Sequence, residues 1–232
     1  MCEKSSFRKA ITILFTLALL GFSQTEARAN VGASGFTPVN DKPFMELVGS
    51  VEGPDGYDAV NLGVSRRPPR PLSTMSVGEV LSYQRRLLAE GSGFTAAGRY
   101  QFIHKTLKAL VARHGVNLNA RFDRVMQDYL ARRMMHDCAF YEVNKPRAEI
   151  GNCLARAWAA LPVIYGVKAG RSYYDGLAGN RALVSREQVL EALSKRFAPG
   201  GAPQVISYRR TEPYQFPKDG KIADRIPLAA NP

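Results

Sequence analysis

Glu52 is the residue whose type and position most favour chemistry. The pattern of the preceding residues places it at the C-terminal end of a helix, where the helix dipole disfavours a carboxylate by a few tenths to about 1 kcal/mol. Its side chain falls at the edge of the apolar face of that helix, beside Val48. We therefore expect Glu52 to face a crevice, half removed from solvent, with the protonated form that a general acid requires. A solvated glutamate at a helix end is the alternative that position alone leaves open.

A second candidate segment is Ala96-Ala97-Gly98-Arg99-Tyr100-Gln101-Phe102. Its small residues lead Tyr100 and Gln101 into a predicted helix start, so that an aromatic face and an amide lie near free backbone N–H groups. Sugars are bound by such ring stacking combined with a few well-placed hydrogen bonds. In the alternative interpretation, Tyr100 and Phe102 belong to the core and Gln101 lies on the surface.

Two aspartates follow Glu52 closely and could supply a second carboxyl group. Asp55 lies in a Pro-Asp-Gly turn, where a turn-forming role is favoured. Asp58 could support a β region, orient a substrate hydroxyl, or act as the second carboxylate of a glycoside hydrolase, since such enzymes pair two carboxyl groups across the bond that they cleave.

The first 29 residues have the pattern of a secretory signal peptide. Basic residues precede the apolar run Ala10–Phe22, and Ala27-Arg28-Ala29 is a small-x-small cleavage site. The run is short for a bilayer span, although a retained N-terminal anchor is the alternative. We expect a periplasmic or secreted protein with no stable membrane span after cleavage.

The charge indicates an acidic partner outside the cytoplasm. The formal net charge is +12, and it falls to about +10 when the four basic and two acidic residues of the signal peptide are removed. A basic exported protein suits cell-wall glycan with its peptide carboxylates, or anionic lipid. Export argues against a nucleic-acid partner.

Cys138 and Cys153 are an even pair in an oxidising compartment, so a disulfide between them is expected. Two buried free thiols are the alternative. The three histidines, His104, His114 and His136, show no paired spacing with a cysteine or carboxylate, so no metal and no other cofactor is expected.

Hydrophobic spacing predicts a mostly helical architecture for residues 42–199. The predicted helices cover about 43–52, 76–89, 97–114, 121–137, 148–161 and 185–197. Capping boxes are expected at Ser76 with Glu79 and at Ser185 with Gln188. Residues 55–72 are predicted to be a small β or irregular region, which makes the fold class α+β, predominantly helical. Residues 30–41 form a leader segment, and the basic, Pro-rich tail at 200–232 is expected to be extended or disordered.

Three of these motifs, in this order, resemble a known family. Ser50-Val51-Glu52-Gly53 with Gly56-Tyr57-Asp58 resembles the catalytic-glutamate segment of the lambda-phage endolysin branch of the lysozyme superfamily. Residues 97–102 resemble its glycan-cleft motif, and Ala157-Trp158-Ala159-Ala160-Leu161-Pro162 its later tryptophan-containing helix. Residues 75–81 with Gln84 are similar to muramidase modules of phage tails and exported wall enzymes. The resemblance covers about residues 43–195. The chain departs from the endolysin in a shorter link after Glu52 and an added helix at 76–89.

The resemblance implies a lysozyme-like domain that cleaves peptidoglycan between N-acetylmuramic acid and N-acetylglucosamine. Glu52 would be the acid and then the base, and the substrate-binding residues would be Tyr57, Asp58, Arg99, Tyr100 and Gln101. The favoured reaction is lytic transglycosylation, which needs one carboxylate and gives 1,6-anhydro-muramyl products. A hydrolytic muramidase that uses Glu52 with Asp58, and a non-catalytic peptidoglycan-binding module, are the alternatives. We expect a monomer whose basic tail could contact a secretion or envelope machine.

Overall fold

The structure is a computed structural model that describes residues 39–61, 63–177 and 179–197. These ranges are predominantly helical, with isolated β-bridges in place of extended strands. The helices are α1 (Lys42–Glu52), α2 (Val77–Ala89), α3 (His104–His114), α4 (Arg124–Asp137), α5 (Arg147–Ala157) and α6 (Arg186–Ser194). The predicted signal peptide, most of the leader and the tail lie outside the described residues. Within them, no helix has the length and apolar character needed to cross a membrane.

The helix-rich part of the predicted fold class is confirmed, whereas the residues of 55–72 that the structure describes are irregular rather than β. They carry two 3₁₀ helices, Gly56–Asp58 and Leu72–Thr74. The one bridge that this region makes in the described chain pairs Val60 with Ala97. The likeness to lysozyme stays a prediction.

Side chains close in sequence fix the start of two helices. The Ser76 hydroxyl accepts a hydrogen bond from the backbone N–H of Glu79, whose carboxylate accepts one from the N–H of Ser76. Ser185 and Gln188 make the same reciprocal pair at the start of α6. Both predicted capping boxes are therefore confirmed, and each satisfies N–H groups that the first helical turn leaves without partners.

Four helices are shorter than predicted: α4 begins three residues later, α6 ends three residues earlier, and the differences at α3 and α5 fall beside Glu52. The helix predicted at 97–114 begins only at His104, because residues 97–102 form a tight turn closed by two hydrogen bonds between Ala97 and Phe102. The helix predicted at 148–161 ends at Ala157, since Trp158 is extended at φ −128° and ψ 119°. Irregular backbone therefore lies next to Glu52, and its N–H groups are not used in helical hydrogen bonds.

The first and last helices of the described chain pack together in the core, which contains a cluster of aromatic rings. Helix α6 packs against α1 and α5, and α3 packs against α2. The ring of Phe44 in α1 lies 5.4 Å from that of Phe140 and 6.2 Å from that of Trp158. Burying each such side chain stabilises the fold by about 1.5–3 kcal/mol. The expected disulfide is present between Cys138, which follows α4, and Cys153 in α5, and it fastens these two helices together.

Candidate active site

Glu52 lines a small pocket between the end of α1, the segment 96–103 and the end of α5, and single residues of other segments complete its wall. The cavity measures about 40 Å³. This volume admits a group of the size of water or a hydroxyl, so a larger ligand would have to lie across its mouth. The described lining residues are Glu52, Asn61, Ala96, Gln101, Phe102, Ile103, Thr106, Met134, Ala157, Trp158 and Ala159.

The carboxyl group of Glu52 is more buried than the sequence suggested, with 8% of the residue exposed. One carboxyl oxygen, Oε1, accepts a hydrogen bond of 2.9 Å from the backbone N–H of Ala160. Burial favours the neutral acid, and a backbone N–H aimed at the group favours the carboxylate. A group held between these opposing influences is suited to giving up a proton and taking one back.

The two nearby aspartates do not join Glu52 in the pocket. Asp58 is exposed, and its Oδ1 accepts a 2.7 Å hydrogen bond from the backbone N–H of Ser73, at the 3₁₀ helix Leu72–Thr74. Asp55 is exposed in the turn after α1. Among the residues that the structure describes, Glu52 is the single carboxylate lining this pocket.

Gln101 is the proposed substrate-binding residue that the structure brings into the pocket with Glu52. Its backbone has a φ of 46°, in the left-handed region that glutamine rarely adopts. Its side-chain Nε2 donates a 2.8 Å hydrogen bond to the carbonyl of Gly98. Strain of this kind costs about 1–3 kcal/mol and persists only where the surroundings enforce it, which is often at functional sites.

Tyr57 and Tyr100 form a polar cluster with Asp128 that lies outside the set of residues lining the pocket. The hydroxyls of Tyr100 and Tyr57 donate to the same carboxylate oxygen of Asp128, at 2.7 and 2.9 Å. Burial, and then the contact with Asp128, raise the pKa of both phenols, so both keep their protons. Since only 3% of Tyr100 is exposed, this placement fits a supporting role better than sugar stacking.

Arg99 contributes to the site through its backbone. Its guanidinium forms an ion pair of 2.6 Å with Glu46, on α1, and lies 5.6 Å from the centre of the Tyr57 ring. The Arg99 backbone packs directly against the end of α1: a Cβ on Gly53 would lie 2.6 Å from the Arg99 carbonyl oxygen. Glu52 and the turn at 97–102 are therefore held together by a contact that only glycine permits.

Several residues of the site were not assigned a role from the sequence. Trp158 lines the pocket, and its indole N–H donates a 3.1 Å hydrogen bond to the Tyr100 carbonyl. Asn61 and Thr106 also line the pocket, and no sequence pattern singles them out. The close contact at Gly53 could have been expected from the sequence, because Gly49 and Gly53 are four residues apart and so fall on the same side of a helix.

Comparison of this chain with protein-family models, with curated proteins and with solved structures finds no match in any of the three. In the described ranges, no group of three or more His, Cys, Asp or Glu side chains is arranged to hold a metal ion. The site itself is thus the basis on which function is inferred.

Proposed function

We propose that this protein is an exported peptidoglycan-cleaving enzyme, a lytic transglycosylase that acts on the bond between N-acetylmuramic acid and N-acetylglucosamine. The observation that carries the proposal is the nearly buried Glu52 in a pocket lined by the polar side chains of Asn61, Gln101 and Thr106. Such a pocket combines a proton donor with groups that can hydrogen-bond sugar hydroxyls and N-acetyl amides. The order of the sequence motifs independently indicates the same class of enzyme.

In the proposed reaction, Glu52 acts twice. It first protonates the bridging oxygen, so that the bond from that oxygen to the anomeric carbon of the muramic acid breaks. The resulting carboxylate then takes the proton of the 6-hydroxyl of the same ring while that oxygen bonds to the anomeric carbon, and this restores the acid. The backbone N–H of Ala160, 2.9 Å from Oε1, supports the carboxylate between the two steps.

The surroundings of Glu52 favour transglycosylation over hydrolysis. A hydrolase of the common type requires a second carboxyl group across the scissile bond. The nearest candidates along the chain, Asp55 and Asp58, do not line the pocket, and Asp58 is engaged with Ser73. Attack by a hydroxyl of the same sugar needs no second carboxylate, because the nucleophile is already tethered.

The other parts of the proposal follow from charge and from the N-terminal pattern. The basic exported chain would meet the anionic wall in the periplasm or outside the cell as a monomer, and the basic C-terminal tail would contact a secretion or envelope machine.

The test is mass spectrometry of muropeptides released from purified sacculi by the exported protein. We expect 1,6-anhydro-muramyl products, and a folded Glu52→Gln variant that is about 10²–10⁴-fold slower. Glu187→Gln is the matched control, because this exposed glutamate lies on α6 and should leave the rate unchanged. Asp58→Asn should keep appreciable activity, since its side-chain oxygen can still accept the N–H of Ser73.

Each alternative has its own outcome in this experiment. Reducible muramic acid ends, which gain two hydrogens with borohydride, together with a folded but inactive Asp58→Asn variant, would establish a hydrolase with Asp58 as second carboxylate. A protein that binds sacculi and releases nothing would be a binding module. Wild-type rates in Glu52→Gln would remove Glu52 from the mechanism.

A further inference from the structure

Gln127, in α4, is fully buried and connects three separate segments of the chain. Its Nε2 donates two hydrogen bonds of 2.8 Å, one to the carbonyl of Tyr57 and one to that of Phe122. Its Oε1 accepts a 2.9 Å hydrogen bond from the backbone N–H of Arg99. Because both donors and the acceptor are used, the amide orientation is fixed by its partners.

Two of these partners belong to the segments that carry Glu52 and Gln101. Tyr57 belongs to the segment that leaves α1 directly after Glu52, and Arg99 to the turn that carries Gln101 two residues later. Both segments also meet at Gly53, whose missing Cβ lets the Arg99 backbone approach. The amide of Gln127 therefore connects the loop that follows Glu52 to the backbone that orients Gln101.

The turn is shaped to admit this amide. A Cβ on Gly98 would lie 2.2 Å from the Oε1 of Gln127, and Gly98 has a φ of 77°. The strained conformation of Gln101, at φ 46°, follows three residues later. Gln84 also bonds to this part of the chain, since its Nε2 donates to the carbonyls of Thr95, before the turn, and Phe102, at its end. In the described contacts it makes no bond to the segment after Glu52.

We propose that Gln127 is a positioning residue, which sets the placement of Gln101 relative to Glu52 through the Arg99 N–H and the Tyr57 carbonyl. It acts through backbone partners and touches no substrate. A buried amide is costly unless its hydrogen bonds are made, whereas methionine would fill the same space in α4. The hydrogen bonds of the Gln127 amide are therefore needed to position the site, and not to pack α4. The activity readout of this inference rests on the proposed function, but its structural readout does not.

Trp158 provides the structural readout, because it is the single tryptophan of the chain and its indole N–H is bonded to Tyr100 in the same turn. We would compare Gln127→Met with wild type in acrylamide quenching of Trp158, thermal unfolding, and kcat and apparent KM on sacculi. The matched control is Leu193→Ala, which removes a fully buried side chain from α6 and leaves the hydrogen bonds of the turn intact.

We expect Gln127→Met to lower kcat by about 10²-fold while apparent KM stays within about twofold of the wild-type value. Acrylamide should quench Trp158 more strongly in this variant than in the Leu193→Ala control. Gln127→Glu is the second variant, for the case that the methionine variant does not fold. Protonated glutamate keeps one donor and ionised glutamate keeps none, so its activity relative to wild type should fall as pH rises.

The inference is wrong if Gln127→Met matches Leu193→Ala in both kcat and Trp158 quenching. If Gln127→Met does not fold, the inference is wrong when the activity of Gln127→Glu follows the wild-type pH profile. These failures would leave the proposed function intact as long as Glu52→Gln is inactive. If the wild type releases no muropeptides, the proposed function fails, and the quenching of Trp158 alone decides whether Gln127 positions the turn.

Discussion

Replacing Gly53 with alanine would test how Glu52 is placed, because Gly53 is the next residue and ends α1. The added Cβ would lie 2.6 Å from the carbonyl oxygen of Arg99 and 2.8 Å from its Cα. Both contacts are with backbone atoms, so no change of side-chain rotamer relieves them. The backbone of Gly53 has a φ of −136°. The close contact, and not a left-handed backbone, is therefore the reason for glycine here.

The size of the effect follows from these distances. The end of α1 and the Arg99 segment must separate by about 0.8 Å before the new Cβ reaches an ordinary contact of 3.4 Å. Overpacking of this kind typically costs about 1–3 kcal/mol in the free energy of unfolding. A displacement approaching 1 Å at a reacting group can cost about 10²-fold in rate. We therefore expect Gly53→Ala to remain folded at 25 °C and to clear sacculi about 10²-fold more slowly.

The assay pairs the initial rate of sacculus clearing with thermal unfolding followed by circular dichroism. Gly78→Ala is the matched control, since a Cβ there would lie 3.2 Å from the Leu118 carbonyl oxygen, in a milder contact that involves none of the residues lining the pocket. It should keep the wild-type rate. If Gly53→Ala also clears sacculi at that rate, the contact with Arg99 can be relieved without moving Glu52, and the reasoning is refuted.

Two further predictions concern stability. The disulfide closes a loop with a sequence separation of 15 residues, so the Cys138→Ala/Cys153→Ala variant should lose about 3 kcal/mol of unfolding free energy in urea denaturation; an unchanged midpoint would contradict this. Burial, and then the neighbouring Arg133, Arg113 and His136, lower the pKa of His114 from 6.5 to about 4. Unfolded His114 thus binds a proton at a higher pH than the folded form, and the unfolding free energy should fall as pH decreases from 6.5 to 4. Urea denaturation across this range should show a smaller pH dependence in His114→Gln than in the wild type.

Helix boundaries were predictable where the determining groups are neighbours in the sequence. Ser76 with Glu79 defines the start of α2 through bonds that span three residues. The start of α1 is different. Asp41 occupies that position, but its carboxylate binds Arg132 at 2.7 Å and accepts a bond from the Tyr141 hydroxyl instead of capping the helix. Distant charged and hydroxyl partners outcompete a local N–H here, and no local pattern reveals them.

The turn at 97–102 was predicted as helix because its residue types allow one. Gln84 in α2 and Gln127 in α4 bond to its backbone, at Phe102 and Arg99 respectively. A polar residue in the pattern of a helix is ordinarily read as part of the solvent-facing side, and both of these glutamines are fully buried. Sequence reasoning therefore identified Gln101 as a candidate but not the contacts that force it into the pocket.

For Glu52 too, the nearby sequence identified the residue but not its distant hydrogen-bond partner. A helix end, an apolar edge and a following turn were enough to single out Glu52, since all three lie within a few residues of it. The group that supports its carboxylate, the N–H of Ala160, is 108 residues away and is available only because α5 ends at Ala157. Had α5 continued to Leu161 as predicted, the N–H of Ala160 would have bonded within the helix. The early end of α5 therefore makes available the N–H that bonds Glu52, and hydrophobic periodicity did not predict it.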